Sequence, residues 1–297
     1  MISPFTSFGN AIILSRRHTI FGMGAAGLTL ARSSQVFARL VDPRLALNVG
    51  EAEPVLRIID GDSFVLKSGL AVKLASIEAP QSAFRAQNRA AWPGAKESSA
   101  AMSGLIGGRN VQLFYGGESR DRYKRAIAQV YTLTPDGKPD LWVQEEMVRL
   151  GLARVYTWAN QTVDSERLYA AERQARQVGR GIWGYEFYAV RNPEPNALAQ
   201  YVDSTQIIEG VIISAADVRG RIYLNFGADY KTDFTITIAK KNVKNFSKAN
   251  VDLLGLAGAR VRVRGWVELI NGPSIWADHP ARLEILDMQS VTPISGQ

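Results

Sequence analysis

There is no cysteine among the 297 residues, and there are only two histidines, His18 and His279. Disulfides, cysteine-ligated zinc and thiol nucleophiles are thereby excluded. So is a multi-histidine metal site. A Ser-His-Asp system would have to run through His279, which precedes Pro280 and reads as structural. Long apolar runs are missing too. The best candidate, residues 21–31, is far shorter than the ~20 residues a membrane-spanning helix needs. Internal repeats and low-complexity segments are absent. The chemistry left to the chain is that of carboxylates, arginines, lysines and tyrosines.

Acidic residues are lacking in residues 1–38, which hold Arg16, Arg17 and Arg32; the whole chain carries a formal charge of +7. Outside that stretch the basic excess is mild. It permits an anionic partner without demanding one. Ser15-Arg16-Arg17-His18-Thr19-Ile20 precedes a Gly/Ala-rich apolar run, and Ser33-Ser34-Gln35-Val36-Phe37-Ala38 follows it. Paired arginines, a short apolar stretch and small residues before a cut mark a twin-arginine secretory leader. Cleavage is expected after Ala38, giving an exported protein, periplasmic or secreted, with no integral membrane segment after cleavage. An uncleaved N-terminal anchor and a disordered tail are the alternatives.

The fold class expected is mainly β with helices, α+β. It comprises two five-stranded OB-type barrels, at residues 54–190 and 204–290, joined by a linker at 191–203 that carries Asn192-Pro193-Glu194-Pro195-Asn196. In the first block, strands are expected at 55–66, 70–77, 111–115 and 126–133. Helices are expected at 96–105, 140–150 and 165–178, the last ended by Gly179 and Gly181. In the second, strands are expected at 206–214, 221–226, 234–238, 260–268 and 283–286, with a helical stretch at 243–254. A helix between the third and fourth strands is the OB order.

Several motifs punctuate the first block in order: Ile59-Asp60-Gly61-Asp62-Ser63; Val72-Lys73-Leu74 running to Ile77-Glu78-Ala79-Pro80-Gln81; Asp121-Arg122-Tyr123-Lys124-Arg125; Glu146 to Ala153; and Ala171-Glu172 leading to Gly181-Ile182-Trp183. On these the block resembles the thermonuclease (staphylococcal nuclease) family over about residues 54–183. The resemblance implies an OB barrel with packed helices. It also implies calcium-dependent hydrolysis of phosphodiester bonds in DNA and RNA, with two metal-binding carboxylates, a glutamate general base and two phosphate-holding arginines. Carried over by position, Asp62 matches the first calcium carboxylate. Glu78 stands where the family has aspartate, and Ala79 where a threonine lends its backbone carbonyl. Arg125 matches the second arginine.

Two positions carry different chemistry. Gln81 stands where the general base belongs, and an amide does not accept a proton from water near neutral pH. Lys73 stands where the first arginine belongs, and lysine lacks the planar fork that grips two phosphate oxygens. Glu97, Glu118 or a loop carboxylate are the remaining candidates for a base.

Some features carry two readings. Asp60-Gly61-Asp62 is a turn sequence as well as a metal site. Asp121 and Arg125 suit a surface ion pair as well as a phosphate site that includes Arg122 and Tyr123. Tyr156 and Trp158 suit either base stacking or packing on the last helix. Arg85, Arg89 and Trp92 suit a nucleic-acid rim or a solvated loop. In the second block Arg260, Arg262 and Arg264 alternate with valines, which puts all three on one strand face. That face is either a nucleic-acid surface, with Tyr223, Phe226, Trp266 and Trp276 as stacking candidates, or a solvent face. Asn271-Gly272-Pro273 reads as a hairpin turn.

Three functions follow. The first is an exported, catalytically degraded thermonuclease-like protein that binds nucleic acid or another polyanion. The second is an active calcium-dependent nuclease. The third is a non-catalytic protein-interaction module. The sequence leaves the oligomeric state open.

Overall fold

A computed structural model describes residues 42–83 and 90–288. The expected leader, Arg85 and Arg89 lie outside the described residues. Those residues fall within a single compact unit, sheet-rich and α+β in class, with five α-helices among them.

The N-terminal half starts with β1 (Asn48–Asp60), β2 (Ser63–Leu66), β3 (Ala71–Leu74) and the short β4 (Ile77–Glu78), followed by α1 (Ala95–Ile106). It continues with β5 (Asn110–Tyr115), β6 (Ala126–Leu133), β7 (Pro139–Trp142), α2 (Val143–Arg149), β8 (Arg154–Val155) and α3 (Ser165–Gln177). The single strand expected over 55–66 is two strands, broken at Gly61-Asp62, where Asp60 pairs with Ser63. Gly61 belongs there for lack of room: a Cβ would come within 1.8 Å of Ser98 Oγ and 2.8 Å of Ala79 Cβ. The helix expected over 140–150 begins later, because residues 139–142 pair with β6. α3 buries Leu168, Tyr169, Ala171, Glu172 and Ala175, the stripe that a 3.6-residue period lays on one helix face.

The pairings run β3-β2-β1-β5-β6-β7, and β3 also pairs with β6 in parallel. The path from β1 through β2, β3, β6 and β5 thus returns to β1, an order consistent with the expected OB-type fold. Phe64, Leu66, Val72, Leu74, Val111, Leu113 and Val130 are buried in its interior cluster with residues of α1, α2 and α3.

Residues 191–203 join the halves and are themselves packed. Arg191 exchanges backbone hydrogen bonds with Ile207 and Glu209, and Leu198, in the one-turn α4 (Pro195–Leu198), is buried.

The C-terminal half has β9 (Thr205–Val211), β10 (Ser214–Val218), β11 (Arg221–Asn225), β12 (Thr235–Ile238), α5 (Lys240–Lys248), β13 (Ala259–Ile270), β14 (Gly272–Trp276) and β15 (Leu283–Met288). The helix lies between β12 and β13, the observed counterparts of the third and fourth expected strands, though it starts and ends earlier than 243–254. The residues after Asn271, expected only as a turn, continue as β14, which pairs antiparallel with β13 and parallel with β12. The expected fifth strand, 283–286, lies within β15, which pairs antiparallel with residues 259–263 of β13. β9 also pairs with β13. Each half therefore contains one parallel strand pairing, β3 with β6 and β12 with β14. A separate cluster of buried apolar side chains, including Ile222, Ile236, Phe246, Val261 and Val263, fills the second half.

Candidate active site

The turn between β1 and β2 delivers Asp62 into the protein, where it is 2% exposed. Its Oδ1 lies 2.6 Å from Lys73 Nζ and accepts from Ser63 Oγ at 2.9 Å. Its Oδ2 accepts from the Ala79 backbone N–H at 2.7 Å. Burial acts to raise the Asp62 carboxyl, but Lys73 and the Ala79 N–H outweigh it and hold the group below the ordinary aspartate value. Lys73 reaches Asp62 because β2 and β3 pair, with Ser63 opposite Lys73. Asp60 accepts from the Asp62 N–H at 3.1 Å. Burial first, then the neighbouring Asp62 charge, push its carboxyl up to about 6.

Glu78 points to a different cation. It sits opposite Arg154 in the β4–β8 pair, and its Oε2 accepts from Arg154 Nε at 2.9 Å and Nη2 at 2.6 Å. Arg154 is 4% exposed. Its guanidinium also lies 5.9 Å from the rings of Trp92 and Tyr188 and donates to Thr205 O in the second half. The sequence motifs did not single out Arg154. Its role depends on a strand pairing across 76 residues, to which local periodicity is blind.

These carboxylates do not fit calcium as they stand. Calcium takes six to eight oxygen ligands. Here Asp62 is engaged by Lys73, Ser63 and Ala79, and Glu78 by Arg154. Among the described residues no group of three or more His, Asp or Glu side chains could hold a metal. Glu97 and Glu118, the alternative bases, are both exposed. Gln81 is half-buried, and its backbone carbonyl accepts from the Trp92 N–H.

The turn at 121–125 is built by Asp121, whose Oδ1 accepts from the Tyr123 and Arg125 N–H groups at 2.9 Å. Its Oδ2 accepts from Arg125 Nε at 2.7 Å. Lys124 takes the left-handed conformation. The turn projects Tyr123, 65% exposed, with the Arg122 and Arg125 guanidinium groups 4.9 and 5.6 Å from its ring. The β2–β3 pairing brings Lys73 to the Asp62 carboxylate, while Arg125 stands just ahead of β6, two residues before Ile127, the partner of Lys73. Glu78 is drawn aside.

Residues 71–185 match the staphylococcal nuclease homologue family model. Among curated relatives, a thermonuclease of Staphylococcus hyicus is 28% identical over 132 residues, covering 43% of this chain and 73% of its own length. A protein of Oryza sativa subsp. japonica named probable staphylococcal-like nuclease CAN2 is 29% identical over 134 residues, 45% of this chain and 30% of its own length. The matched stretch contains Lys73, Glu78 and Arg125, and Asp62 lies before it. Neither relative's match reaches half of this chain.

The remaining expected contacts lie elsewhere. Tyr156 is half-buried at the seam between the halves, edge-on to Trp158 at 6.1 Å and covered by the Arg282 guanidinium at 5.4 Å. Trp92 packs on Phe187. Arg260, Arg262 and Arg264 do share one face of β13, where acidic side chains lie against them and only Arg260 is exposed. Arg260 and Arg262 pair with Glu209, and Arg262 also with Glu284. Arg264 is 2% exposed and is held by Glu172, Glu284 and Val155 O. The period of two correctly gave a shared face; what covers it came from α3, 92 residues away. His279 is buried as well, bonded to Asp278 and to Thr157 of the first half.

Proposed function

We propose that this chain is an exported, thermonuclease-like protein that binds nucleic acid or a related phosphodiester polyanion through a centre that hydrolyses weakly or not at all. The two halves are read as OB-type barrels, the first the nuclease-like one. The observation that carries the reading is the Lys73–Asp62 ion pair at 2.6 Å. It puts a protein ammonium on the carboxylate that the family resemblance assigns to a metal. Staphylococcal nuclease-like proteins are in general calcium-dependent, and a side-chain cation at Asp62 competes directly with that ion.

The chemistry around the pair points the same way. Gln81 cannot take a proton from an attacking water, and a positioned base is typically worth ~10²–10⁴ in rate. Lys73 supplies charge but no bidentate fork, and loss of one preorganised transition-state donor costs roughly 10²–10³. The two losses need not multiply, because residues that act as a unit are non-additive. Arg125, with Arg122 and Tyr123 beside it, still offers a cationic, aromatic surface to a phosphate and a base.

The test is cleavage of single-stranded DNA and RNA by the full chain, with and without calcium, beside Asp62→Ala and Arg125→Ala controls. No cleavage is expected from the natural sequence, and the Gln81→Glu, Lys73→Arg double variant is expected to restore some. Cleavage by the natural sequence that both controls abolish would overturn the degraded-centre reading.

A further inference from the structure

We propose a second nucleic-acid-binding surface, on α5 and the hairpin beside it, for the backbone of single-stranded nucleic acid. It deepens the function proposed above and rests on it.

α5 carries Lys240, Lys241, Lys244 and Lys248 and no acidic residue. At about 100° per residue these four fall within an arc of roughly 100°. They span ~12 Å of helix at 1.5 Å per residue. All four are exposed, while Phe246 on the far side is buried in the second core. None of them forms an ion pair with another described residue; the cations of β13, by contrast, are neutralised by Glu209 and Glu284.

Two of the lysines stand against the local physics. Lys240 and Lys241 occupy the first turn, the positive end of the helix dipole, with no acidic residue and no side-chain cap there. A cation at that end is unfavourable. A sequence that places charges against local preference, without partners, is behaving as functional sites do.

The surface continues onto the β10–β11 hairpin. Arg219 and Gly220 both have positive φ, 57° and 85°, as a type I′ two-residue turn requires. The Lys240 side chain runs alongside Gly220, near enough that a Cβ there would meet its Cδ at 2.9 Å. Arg219 and Arg221 flank that glycine and are exposed. Arg221 lies 5.3 Å over the Trp276 ring and donates to Tyr223 OH at 3.2 Å. Six cations thus run from the helix to a guanidinium laid on an aromatic ring; the carboxylates beside them are Asp217, which accepts from the Gly220 N–H at 2.6 Å, and Glu268, which accepts from Trp276 Nε1 at 3.1 Å. Lysines act on phosphate as point charges without base readout, and aromatic planes beside a cationic track suit unpaired bases, which a duplex hides. The occupant that fits is single-stranded and read without regard to sequence.

The experiment measures binding of a fluorescent oligothymidylate of about 16 nucleotides to the full chain across a salt series. It compares the natural sequence with a Lys241→Gln, Lys244→Gln, Lys248→Gln triple variant and an Arg122→Gln, Arg125→Gln variant of the first half. The triple variant is expected to bind at least tenfold more weakly. Its dependence of log affinity on log salt should be shallower by about 2, since each single-strand phosphate contact contributes roughly 0.7. Its circular dichroism and melting temperature should match the natural sequence, since the three side chains are exposed. Unchanged affinity in the triple variant, with loss only in the Arg122, Arg125 variant, overturns the second surface and leaves the first-half function standing. No binding by the natural sequence overturns both. Equal or tighter binding to a duplex of the same length overturns the single-strand assignment.

Discussion

Arg264 and Glu172 meet at 2.8 Å, 2% and 1% exposed, although 92 residues separate them. Glu172 belongs to the nuclease-like half and Arg264 to the other. Removing Glu172 leaves the buried Arg264 with Glu284 as its remaining carboxylate partner, at 2.6 Å. Glu172→Gln should therefore destabilise the protein by roughly 1–3 kcal/mol, read as a lower urea midpoint. The Glu172→Leu, Arg264→Met double variant should recover much of that loss. A single variant as stable as the natural sequence would show that the pair is dispensable.

Lys73→Ala should expose the competition at Asp62. It removes the ammonium from a buried carboxylate and leaves Asp60 and Asp62 without their counter-ion. Without metal the variant should melt lower than the natural sequence. Calcium should raise the melting temperature of the variant but not that of the natural sequence, because a ligand stabilises only the form that binds it. A calcium-dependent shift in the natural sequence would mean that Lys73 does not hold the site closed.

Glu284 gives the seam a pH dependence. Burial acts to raise its carboxyl, but Arg264 and Arg262 overcome this and hold it below the ordinary glutamate value. A carboxyl lowered in the folded state contributes stability that is present above its unfolded value, ~4.3. That stability is lost as pH falls through the lower folded value. Glu284→Gln should thus be clearly less stable than the natural sequence at pH 7. The gap should narrow as pH drops below about 4, measured by urea unfolding at several pH values.

Gly61→Ala tests the packing behind the Asp60–Asp62 turn. The added methyl would meet Ser98 Oγ at 1.8 Å and Ala79 Cβ at 2.8 Å. Ser98 cannot simply rotate away without giving up its 2.7 Å hydrogen bond to Leu152 O. Such overpacking typically costs 1–3 kcal/mol, and the melting temperature should fall accordingly.

The sequence made the strand and helix types of the first half legible, because its motifs arrive in order and its apolar periods are regular. Boundaries failed where tertiary pairing decided them. Residues 139–142 look helical alone but pair with β6, and the strand at 272–276 was hidden behind a hairpin signal at Asn271. For the site, the positions of Asp62, Lys73, Gln81 and Arg125 could be read from motif order. That Lys73 would lie on Asp62, and Arg154 on Glu78, could not, since each contact depends on strand pairing. The β13 arginines show the same limit. Alternation gives a shared face, but it does not say whether water, a ligand or the rest of the chain lies against it. The α5 lysines raised no signal because a short lysine-rich helix is usually just solvated; they become informative once no carboxylate among the described residues is seen to pair with them.

The bonds across the seam bear on how the molecule comes apart. Arg264 to Glu172, His279 to Thr157, Tyr169 to Ala281 O and Arg154 to Thr205 O all join one half to the other. Neither core can open without stranding polar groups that the opposite one satisfies, each at a cost of ~1–3 kcal/mol. Heating should therefore melt both halves in one cooperative heat-absorption peak, where two barrels tied only by a flexible tether would give two.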